Sequence, residues 1–183
     1  DYEHFISIYH PGDYYILKNN KQRQEGITIT NNFEEIMNHQ NKDYYLVQKY
    51  IADSIQLMEH KINIRIYLLL ICQNNHIHAY IYNDGIISYP KKKCNDFDHT
   101  FDNSIASFYE SKKLYQKNFP ILFSDLKKKT NNLPWRQILI MIRKKLRMVI
   151  RPVEKSICKY NGFQLFGVDF LIDSKMEPWL IEI

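Results

Sequence analysis

The sequence predicts an α/β fold of the α+β type, with mixed, largely antiparallel sheets and helices packed against them. Three stretches carry this prediction. Residues 61–71 alternate between polar and apolar side chains, residues 162–183 contain two apolar runs around a Pro-containing segment, and residues 135–151 show helical periodicity. A chain of 183 residues can bury one hydrophobic core. We therefore expect residues 1–183 to form a single domain.

The composition is that of a soluble globular domain, and its basic clusters are either solvated surface or a site for an acidic macromolecular partner. Hydrophobic residues make up 45% and charged residues 25%, and the net charge of +5 is modest and spread out. No apolar run approaches the length of a membrane span, and three cysteines without CxxC spacing favour a reducing compartment. We expect a cytoplasmic monomer that binds neither nucleic acid nor membrane. The strand pattern still running at residues 180–183 predicts a fragment, lacking an N-terminal part and the residues just after Glu182.

The N-terminal part begins with an irregular segment, residues 1–13, followed by two strand patterns. Residues 14–18 and 27–30 have strand-like composition, and the polar segment 19–26 between them ends in glycine. Such a loop can cover phosphates with backbone N–H groups and basic side chains, or it can be an ordinary hairpin loop. The residues alone leave both interpretations open.

A capped helix and an aromatic strand come next. Asn32, with Glu35 three residues later, has the signature of a helix start, and we expect this helix to end near Asn41. Residues 44–50 are rich in aromatic and branched side chains, which predicts a strand.

Residues 61–71 have the strongest strand pattern in the chain. Lys61, Asn63 and Arg65 alternate with isoleucines, so the three polar side chains share one face while the isoleucines face a core. The polar face either meets water or lines a cleft. Apolar residues occupy both faces at positions 68–71, as expected for a central strand that holds a cleft at its other end.

The middle of the chain combines a hairpin pattern with a long irregular region. Residues 76–82 and 86–89 are strand-like, and the Asp-Gly pair within residues 83–85 predicts a tight turn between them. Residues 90–134 show no regular pattern, which predicts a long functional or mobile loop.

Pro134 opens a long helical pattern that reaches about Arg151. Pro152 either kinks this helix or starts a continuation to Tyr160. The apolar positions of this pattern are Ile138, Met141, Ile142, Met148 and Val149, with basic residues between them.

The closing stretch predicts a hairpin with one carboxylate on each strand. A loop centred between residues 175 and 176 pairs Asp169 with Glu182, and in the same register it pairs 170 with 181 and 172 with 179. The two carboxylates then share a face with their side chains roughly 5 Å apart, where like charges are destabilising. A bound Mg²⁺ would reverse that repulsion, whereas a surface hairpin would simply solvate both groups.

Three motifs in this order resemble the ATP-grasp domain of the tubulin–tyrosine ligase-like family, over residues 14–183. They are the hydrophobic-flanked QKY segment Val47-Gln48-Lys49-Tyr50-Ile51, the strand Lys61-Ile62-Asn63-Ile64-Arg65, and the closing block Gly167-Val168-Asp169-Phe170 with Pro178-Trp179-Leu180-Ile181-Glu182. The resemblance implies an ATP-grasp fold with its ATP cleft between the sheets.

The resemblance also implies roles for individual residues. Arg65 and Lys61 would act in catalysis, and Asp169 and Glu182 would bind Mg²⁺. The nucleotide-binding residues it implies are Lys18, Arg23, Gly26, Gln48, Lys49, Tyr50, Ile51, Lys61 and Asn63.

Several positions depart from the family pattern. Asn63 stands where the family has aspartate, Ser88 where it has arginine, and Gln24 where its phosphate loop has glycine. In the block 99–105, a threonine and an asparagine of the family become Phe101 and Asp102.

The activity that the resemblance implies is ATP-dependent ligation of an amino acid to a protein carboxylate through an acyl phosphate. The implied partners are ATP, Mg²⁺, an amino-acid co-substrate and a protein substrate such as tubulin or microtubules, in a cytoplasmic or microtubule-associated setting. The departures keep two alternatives open: a catalytically silent nucleotide- or tubulin-binding module, and an ATP-grasp ligase with a non-tubulin substrate.

Overall fold

The computed structural model describes residues 2–21, 25–38, 44–94, 99–130, 133–158 and 160–183. The helices are α1 (Tyr2–Ile8), α2 (Phe33–Met37), α3 (Phe101–Ser104), α4 (Phe108–Tyr115), α5 (Phe123–Lys129) and α6 (Trp135–Ile157). The strands are β1 (Tyr15–Asn19), β2 (Ile27–Thr30), β3 (Tyr44–Lys49), β4 (Gln56–Leu57), β5 (His60–Lys61), β6 (Asn63–Gln73), β7 (His76–Ser88), β8 (Gly162–Ile172) and β9 (Pro178–Glu182). No helix within these ranges combines the length and the apolar character that a membrane crossing requires.

The strands form two main sheets in which neighbouring strands are antiparallel. The small sheet has the order β2-β1-β3, and the large sheet has the order β7-β6-β8-β9. A short ladder of β4 and β5 leads into β6. The predicted fold class is confirmed, and the architecture agrees with the ATP-grasp fold that the resemblance implied.

Helix α6 covers one face of the large sheet and closes the main core. The fully buried side chains at this contact are Ile64, Ile66 and Leu68 of β6 and Ile138, Ile142 and Leu146 of α6. Each such side chain stabilises the fold by roughly 1.5 to 3 kcal/mol. The alternation predicted for residues 61–71 is therefore confirmed on its apolar face.

Two of the apolar positions of the helical pattern do not face the core. Met148 and Val149 are exposed, because the inward stripe advances in steps of four residues from Ile138 through Ile142 and Leu146 to the half-buried Ile150. Pro152 lies inside α6, which continues past it to Ile157.

The N-terminal segment contains a helix that the sequence pattern did not predict. Helix α1 spans seven residues, and Phe5 and Tyr9 contact the ring of Tyr15 on β1 with centroid distances of 5.5 Å. Aromatic contacts with β1 therefore hold this short helix, which lacks an amphipathic pattern long enough to detect.

The capped helix start is confirmed. Asn32 Oδ1 accepts a hydrogen bond from Glu35 N at 3.2 Å at the beginning of α2. The end predicted near Asn41 lies outside the described residues.

The predicted turn at residues 83–85 is wrong, because β7 continues through these residues with only an irregularity in its pairing with β6 between Ile81 and Gly85. The chain turns instead at Asn74 and Asn75, whose φ angles of 51° and 63° suit the two central positions of a type I′ turn. Asp84 and Gly85 serve a tertiary contact. Asp84 Oδ1 accepts hydrogen bonds from Gly85 N at 2.8 Å and from Ser124 N, at the start of α5, at 2.9 Å.

Residues 90–134 are more regular than predicted, since α3, α4 and α5 lie within them. Phe123 and Leu126 of α5 are fully buried in the main core. These helices have four to eight residues, too few for helical periodicity to rise above the surrounding polar sequence.

The closing hairpin has the predicted strands and the predicted pairing of Asp169 with Glu182. Beyond this pair the register differs by one residue, because Phe170 pairs with Leu180 and Ile172 with Pro178. Ile181 is the extra residue of a β-bulge, which keeps the two carboxylates opposite each other.

Asp173 holds the turn of this hairpin and is only 7% exposed. Its Oδ1 accepts hydrogen bonds from the backbone N–H groups of Lys175 and Glu177, both at 2.9 Å, and its Oδ2 accepts one from Trp179 Nε1 at 2.8 Å. Burial alone would raise the pKa of Asp173, but these hydrogen bonds outweigh burial and lower it below its ordinary value of 3.8.

We expect Gly85→Ala to destabilise the protein by roughly 2 to 3 kcal/mol. A Cβ at Gly85 would lie inside van der Waals contact of the Arg65 carbonyl oxygen, so the backbones of β6 and β7 would have to separate. The measurement is the urea midpoint of unfolding. Gly162→Ala is the matched control, because nothing lies within 4 Å of a Cβ there. Equal midpoints for the two variants would contradict the close approach at Gly85.

We expect Asp173→Ala to lower the free energy of unfolding by about 1 to 3 kcal/mol at neutral pH, because three partly buried donors lose their acceptor. The depressed pKa means that this stabilisation is present above pH 3.8 and is lost as the pH falls through the lower pKa of the folded state. Urea unfolding between about pH 2.5 and 7 should therefore show that the free energy of unfolding depends less on pH in the variant than in the wild type.

The control for this prediction is Asp53→Ala. Asp53 is exposed and accepts one hydrogen bond, from Ser174 Oγ at 2.7 Å. We expect Asp53→Ala to lower the free energy of unfolding by less than about 1 kcal/mol. A similar loss for both variants would show that Asp173 has no special part in the turn.

Candidate active site

Two adjoining cavities lie between the small sheet and the strands β6, β8 and β9. The smaller has a volume of about 110 Å³ and the larger about 1070 Å³. Lys18, Asn63, Asp169 and Glu182 line both cavities, so these side chains stand on their shared border.

Most of the predicted site residues come together in this cleft. Those that line the smaller cavity are Lys18, Gln48, Lys49, Tyr50, Ile51, Lys61, Asn63, Asp169 and Glu182. Arg65 lines the larger cavity. Arg23 lies outside the described residues.

Gly26 closes the loop between β1 and β2. Its φ of 68° lies in the left-handed region, and its carbonyl oxygen accepts a hydrogen bond from Asn19 N at 3.1 Å. A Cβ at Gly26 would overlap the Asn19 side chain. Glu25 and Ile27 on either side line the larger cavity.

The smaller cavity has largely apolar walls at the end of β3. Ile16, Ile51, Ile62, Leu171 and Ile181 line it. The ammonium group of Lys49 is directed elsewhere, since it donates to Asp13 Oδ2 at 2.5 Å. An apolar slot bordered by the backbone after β3 can hold a flat ring.

Lys61 is the buried cation of the cleft, with an exposed fraction of only 3%. Its Nζ donates a hydrogen bond to Tyr50 Oη and lies 4.4 Å from the centroid of the same ring. Tyr50 Oη donates to Ser104 Oγ at 2.8 Å, and Ser104 Oγ donates to Asn103 Oδ1, also at 2.8 Å. This chain of hydrogen bonds links the lysine of β5 to helix α3.

Burial raises the pKa of Tyr50 to about 12, although the hydrogen bond to Ser104 acts in the opposite direction. The phenol therefore stays protonated at neutral pH and keeps its hydrogen for Ser104. Sequence reasoning placed Tyr50 at the site but missed Asn103 and Ser104 as its partners. The only available signal was that both lie in the block 99–105.

Arg65 and Asp169 form the central ion pair of the cleft. They are cross-strand neighbours on β6 and β8, and Arg65 Nε and Nη2 donate to the two carboxylate oxygens at 2.7 and 2.8 Å. Asp169 is 5% exposed. This hydrogen bonding raises the pKa of Arg65 above its ordinary value.

Glu182 joins this pair from β9. Its Oε1 lies 3.7 Å from Arg65 Nη2. Partial desolvation is the larger cause of a raised pKa of Glu182, and the negative charge of Asp169 is the next. The positive charges of Lys18 and Arg65 act to lower this pKa. The hairpin pattern alone predicts two unpaired like charges here. That prediction is wrong, because Arg65 partly neutralises both carboxylates.

The larger cavity has a second wall that sequence reasoning missed. Ser107, Phe108, Tyr109 and Lys112 of the α4 region line it opposite the strands. They fall in the stretch predicted to be irregular, and no motif in the sequence marks them.

The model of the tubulin-tyrosine ligase family matches residues 9–183 of this chain. The chain belongs to this family. It is 29% identical over 176 residues to the probable tubulin polyglutamylase TTLL2 of Mus musculus, covering 88% of the chain and 32% of that protein. It is 28% identical over 190 residues to tubulin glycylase 3B of Drosophila melanogaster, covering 92% of the chain and 25% of that protein. The chain thus spans about a third or less of the length of these relatives.

The family resemblance implies Mg²⁺ at Asp169 and Glu182, and the residues present fit such an ion. Both carboxylates border the two cavities, and each oxygen of Asp169 keeps a lone pair beside its bond to Arg65. Asn63 Oδ1 on the same border is buried and has no hydrogen-bond partner among the described residues. Within those residues no three His, Cys, Asp or Glu side chains cluster as metal ligands, so phosphate and water oxygens would complete the shell.

We expect Tyr50→Phe to destabilise this tubulin–tyrosine ligase family chain by about 1 to 3 kcal/mol, because Lys61 loses a buried acceptor and Ser104 loses a donor. Thermal and urea unfolding measure the change. Tyr14→Phe is the matched control, since Tyr14 contacts the same cluster through its ring, with centroids 6.5 Å from Tyr50 and 4.6 Å from His99. If both variants unfolded at the same midpoint, the hydrogen-bond chain would have no energetic role.

Proposed function

We propose that this protein is an ATP-dependent ligase that joins an amino acid to the carboxylate of a protein. The observation that carries the proposal is the convergence of Lys18, Lys61 and Arg65 with the facing pair Asp169 and Glu182 in one cleft of a tubulin–tyrosine ligase family chain. Cations beside two carboxylates suit a polyphosphate that arrives with a divalent cation.

In this proposal the smaller cavity holds the nucleotide base. The apolar residues around Ile51 stack on the adenine ring, and the backbone of residues 48–51 reads its edge. Lys18 and the backbone beside Gly26 cover the phosphates from the small sheet, and Lys61 contacts them from β5, the short strand that leads into β6. Asn63 Oδ1 offers an acceptor to the nucleotide or to the water around its metal.

The reaction proceeds in two transfers. An oxygen of the substrate carboxylate attacks the γ-phosphorus of ATP, the bond to the β-phosphate oxygen breaks, and ADP leaves. An amine then attacks the acyl carbon, and the bond between that carbon and the phosphate oxygen breaks. Phosphate leaves, and the nitrogen loses a proton. Mg²⁺, when bound, would neutralise charge on the phosphate oxygens.

Arg65 and Lys61 act on the charge that moves during these transfers. Arg65 stands on the larger cavity with its guanidinium oriented by Asp169, so it needs no reorganisation to hold the transferred phosphoryl group. Lys61 is fixed by Tyr50 in a site shielded from water, where its charge acts more strongly than in solvent.

The proposed acceptor is a glutamate-type carboxylate on tubulin or a related protein, in a cytoplasmic or microtubule-associated setting. What supports this choice is the description of the relatives as tubulin polyglutamylases and tubulin glycylases. The added amino acid is then the second substrate, and it enters through the larger cavity, where the wall of α4 faces Arg65.

A second candidate is a nucleotide-binding module without ligase activity. It is favoured by Asn63, an amide at the border of both cavities, and by the engagement of Arg65 with Asp169 and Glu182. The two candidates agree on nucleotide binding and differ on turnover.

We expect isothermal calorimetry of the protein to show ATP binding that depends on Mg²⁺, and Glu182→Gln to weaken it at least on the order of 10-fold. Glu177→Gln is the matched control, since this glutamate of the same hairpin binds Lys145 at 2.7 Å on the surface. Absence of ATP binding to the folded protein, with or without Mg²⁺, would refute both candidates. Binding with no ADP release in the presence of acceptor peptides and amino acids would refute the ligase alone.

A further inference from the structure

The larger cavity contains positive charge that the phosphate-binding scheme does not use. Arg65 is already balanced by Asp169 and Glu182, and Lys18 stands on the border with the smaller cavity. Lys112 of α4 lines only the larger of the two cavities. Its side chain has no carboxylate partner among the described residues.

Helix α4 is attached to β7 on both sides of Ser88. Ser107 N donates to Tyr89 O at 3.1 Å, and Tyr89 N donates to Ser111 Oγ at 2.7 Å. On the other side, Tyr115 Oη donates to Ile87 O. The helix therefore cannot slide along this strand without breaking these hydrogen bonds.

This attachment puts Lys112 at a defined place. It follows Ser111, which is fully buried, and it shares the cavity wall with Ser88 and Ile86 of β7. Its Nζ lies 5.7 Å from the ring centroid of Phe108, one helical turn earlier, so an aromatic face supports the ammonium group on the cavity side.

Ser88, the last residue of β7, is an uncharged residue in the same wall of the larger cavity. Its hydroxyl can donate or accept a hydrogen bond but carries no charge. A carboxylate that enters the larger cavity beside β7 therefore finds its cation on the helix, at Lys112, and not on the strand.

We propose that Lys112 binds the carboxylate of the amino acid that is added, with Ser88 beside it as a neutral hydrogen-bonding partner. The inference rests on the proposed ligase function and assigns the second substrate within it. The amino group of that substrate then points away from α4 toward Arg65 and the border of the two cavities. This is the orientation in which it can attack an acyl phosphate held there.

The test uses Lys112→Gln, which removes the charge and keeps most of the side-chain length. The matched control is Lys113→Gln on the same helix, because Lys113 forms a surface ion pair with Glu110 at 3.1 Å. A third variant, Lys112→Gln with Ser88→Arg, moves the cation from the helix to the strand. L-Glutamate and glycine are the probes, and ATP affinity is measured for every variant.

The first readout is calorimetric binding of each amino acid to the protein saturated with Mg²⁺ and a non-hydrolysable ATP analogue. We expect Lys112→Gln to weaken amino-acid binding on the order of 10-fold, as for loss of one charge-assisted hydrogen bond. ATP affinity should stay within about 2-fold, because Lys112 lies outside the smaller cavity. Lys113→Gln should match the wild type, and the double variant should recover most of the lost affinity.

The second readout is steady-state ligation, in which Lys112→Gln should raise KM for the amino acid much more than it lowers kcat. Equal amino-acid affinities for Lys112→Gln and Lys113→Gln would overturn the inference while leaving ATP binding and the ligase proposal intact. Failure of the wild type to bind either amino acid beside a bound nucleotide would also overturn it. Absence of nucleotide binding refutes the proposed function, and this inference with it.

Discussion

The pairing of β6 with β8 determines most of what this chain can do. In its register Arg65 lies opposite Asp169, while Ile64 and Ile66 turn to the other face and meet α6. A shift by one residue would bury the arginine under α6 and expose the isoleucines to the cleft. The hydrophobic core therefore sets the register, and the register sets which charges meet in the cleft.

The second constraint is the cost of burying Lys61. A buried ammonium group needs hydrogen-bond acceptors, and Tyr50 supplies one from the end of β3. Because Tyr50 also donates to Ser104 of α3, the same contact ties the small sheet and a helix to the strand that enters β6. Stability and the placement of positive charge in the cleft thus depend on one chain of hydrogen bonds.

Local sequence signals were reliable where a single element carries the information. The alternation in β6, the cap at Asn32 and the pairing of Asp169 with Glu182 were all predictable. The Asp-Gly pair at residues 84–85 misled, because its usual meaning is a turn and here Asp84 accepts from Ser124 N at the start of a distant helix. An Asp-Gly pair that caps a distant helix has the same local sequence as an Asp-Gly pair in a hairpin turn, so the sequence alone does not distinguish the two roles.

Periodicity and motifs of fixed spacing predict the fold class, the family and the presence of Lys61, Arg65, Asp169 and Glu182 in the cleft, but they do not mark the residues of α4 that line it. Tertiary structure decided how those charges are paired. Arg65 meets Asp169 across two strands separated by 104 positions in the chain. Lys112 reaches the cavity through a helix of eight residues held by hydrogen bonds to β7. Contacts between residues so far apart depend on how whole elements pack, and no local pattern records that.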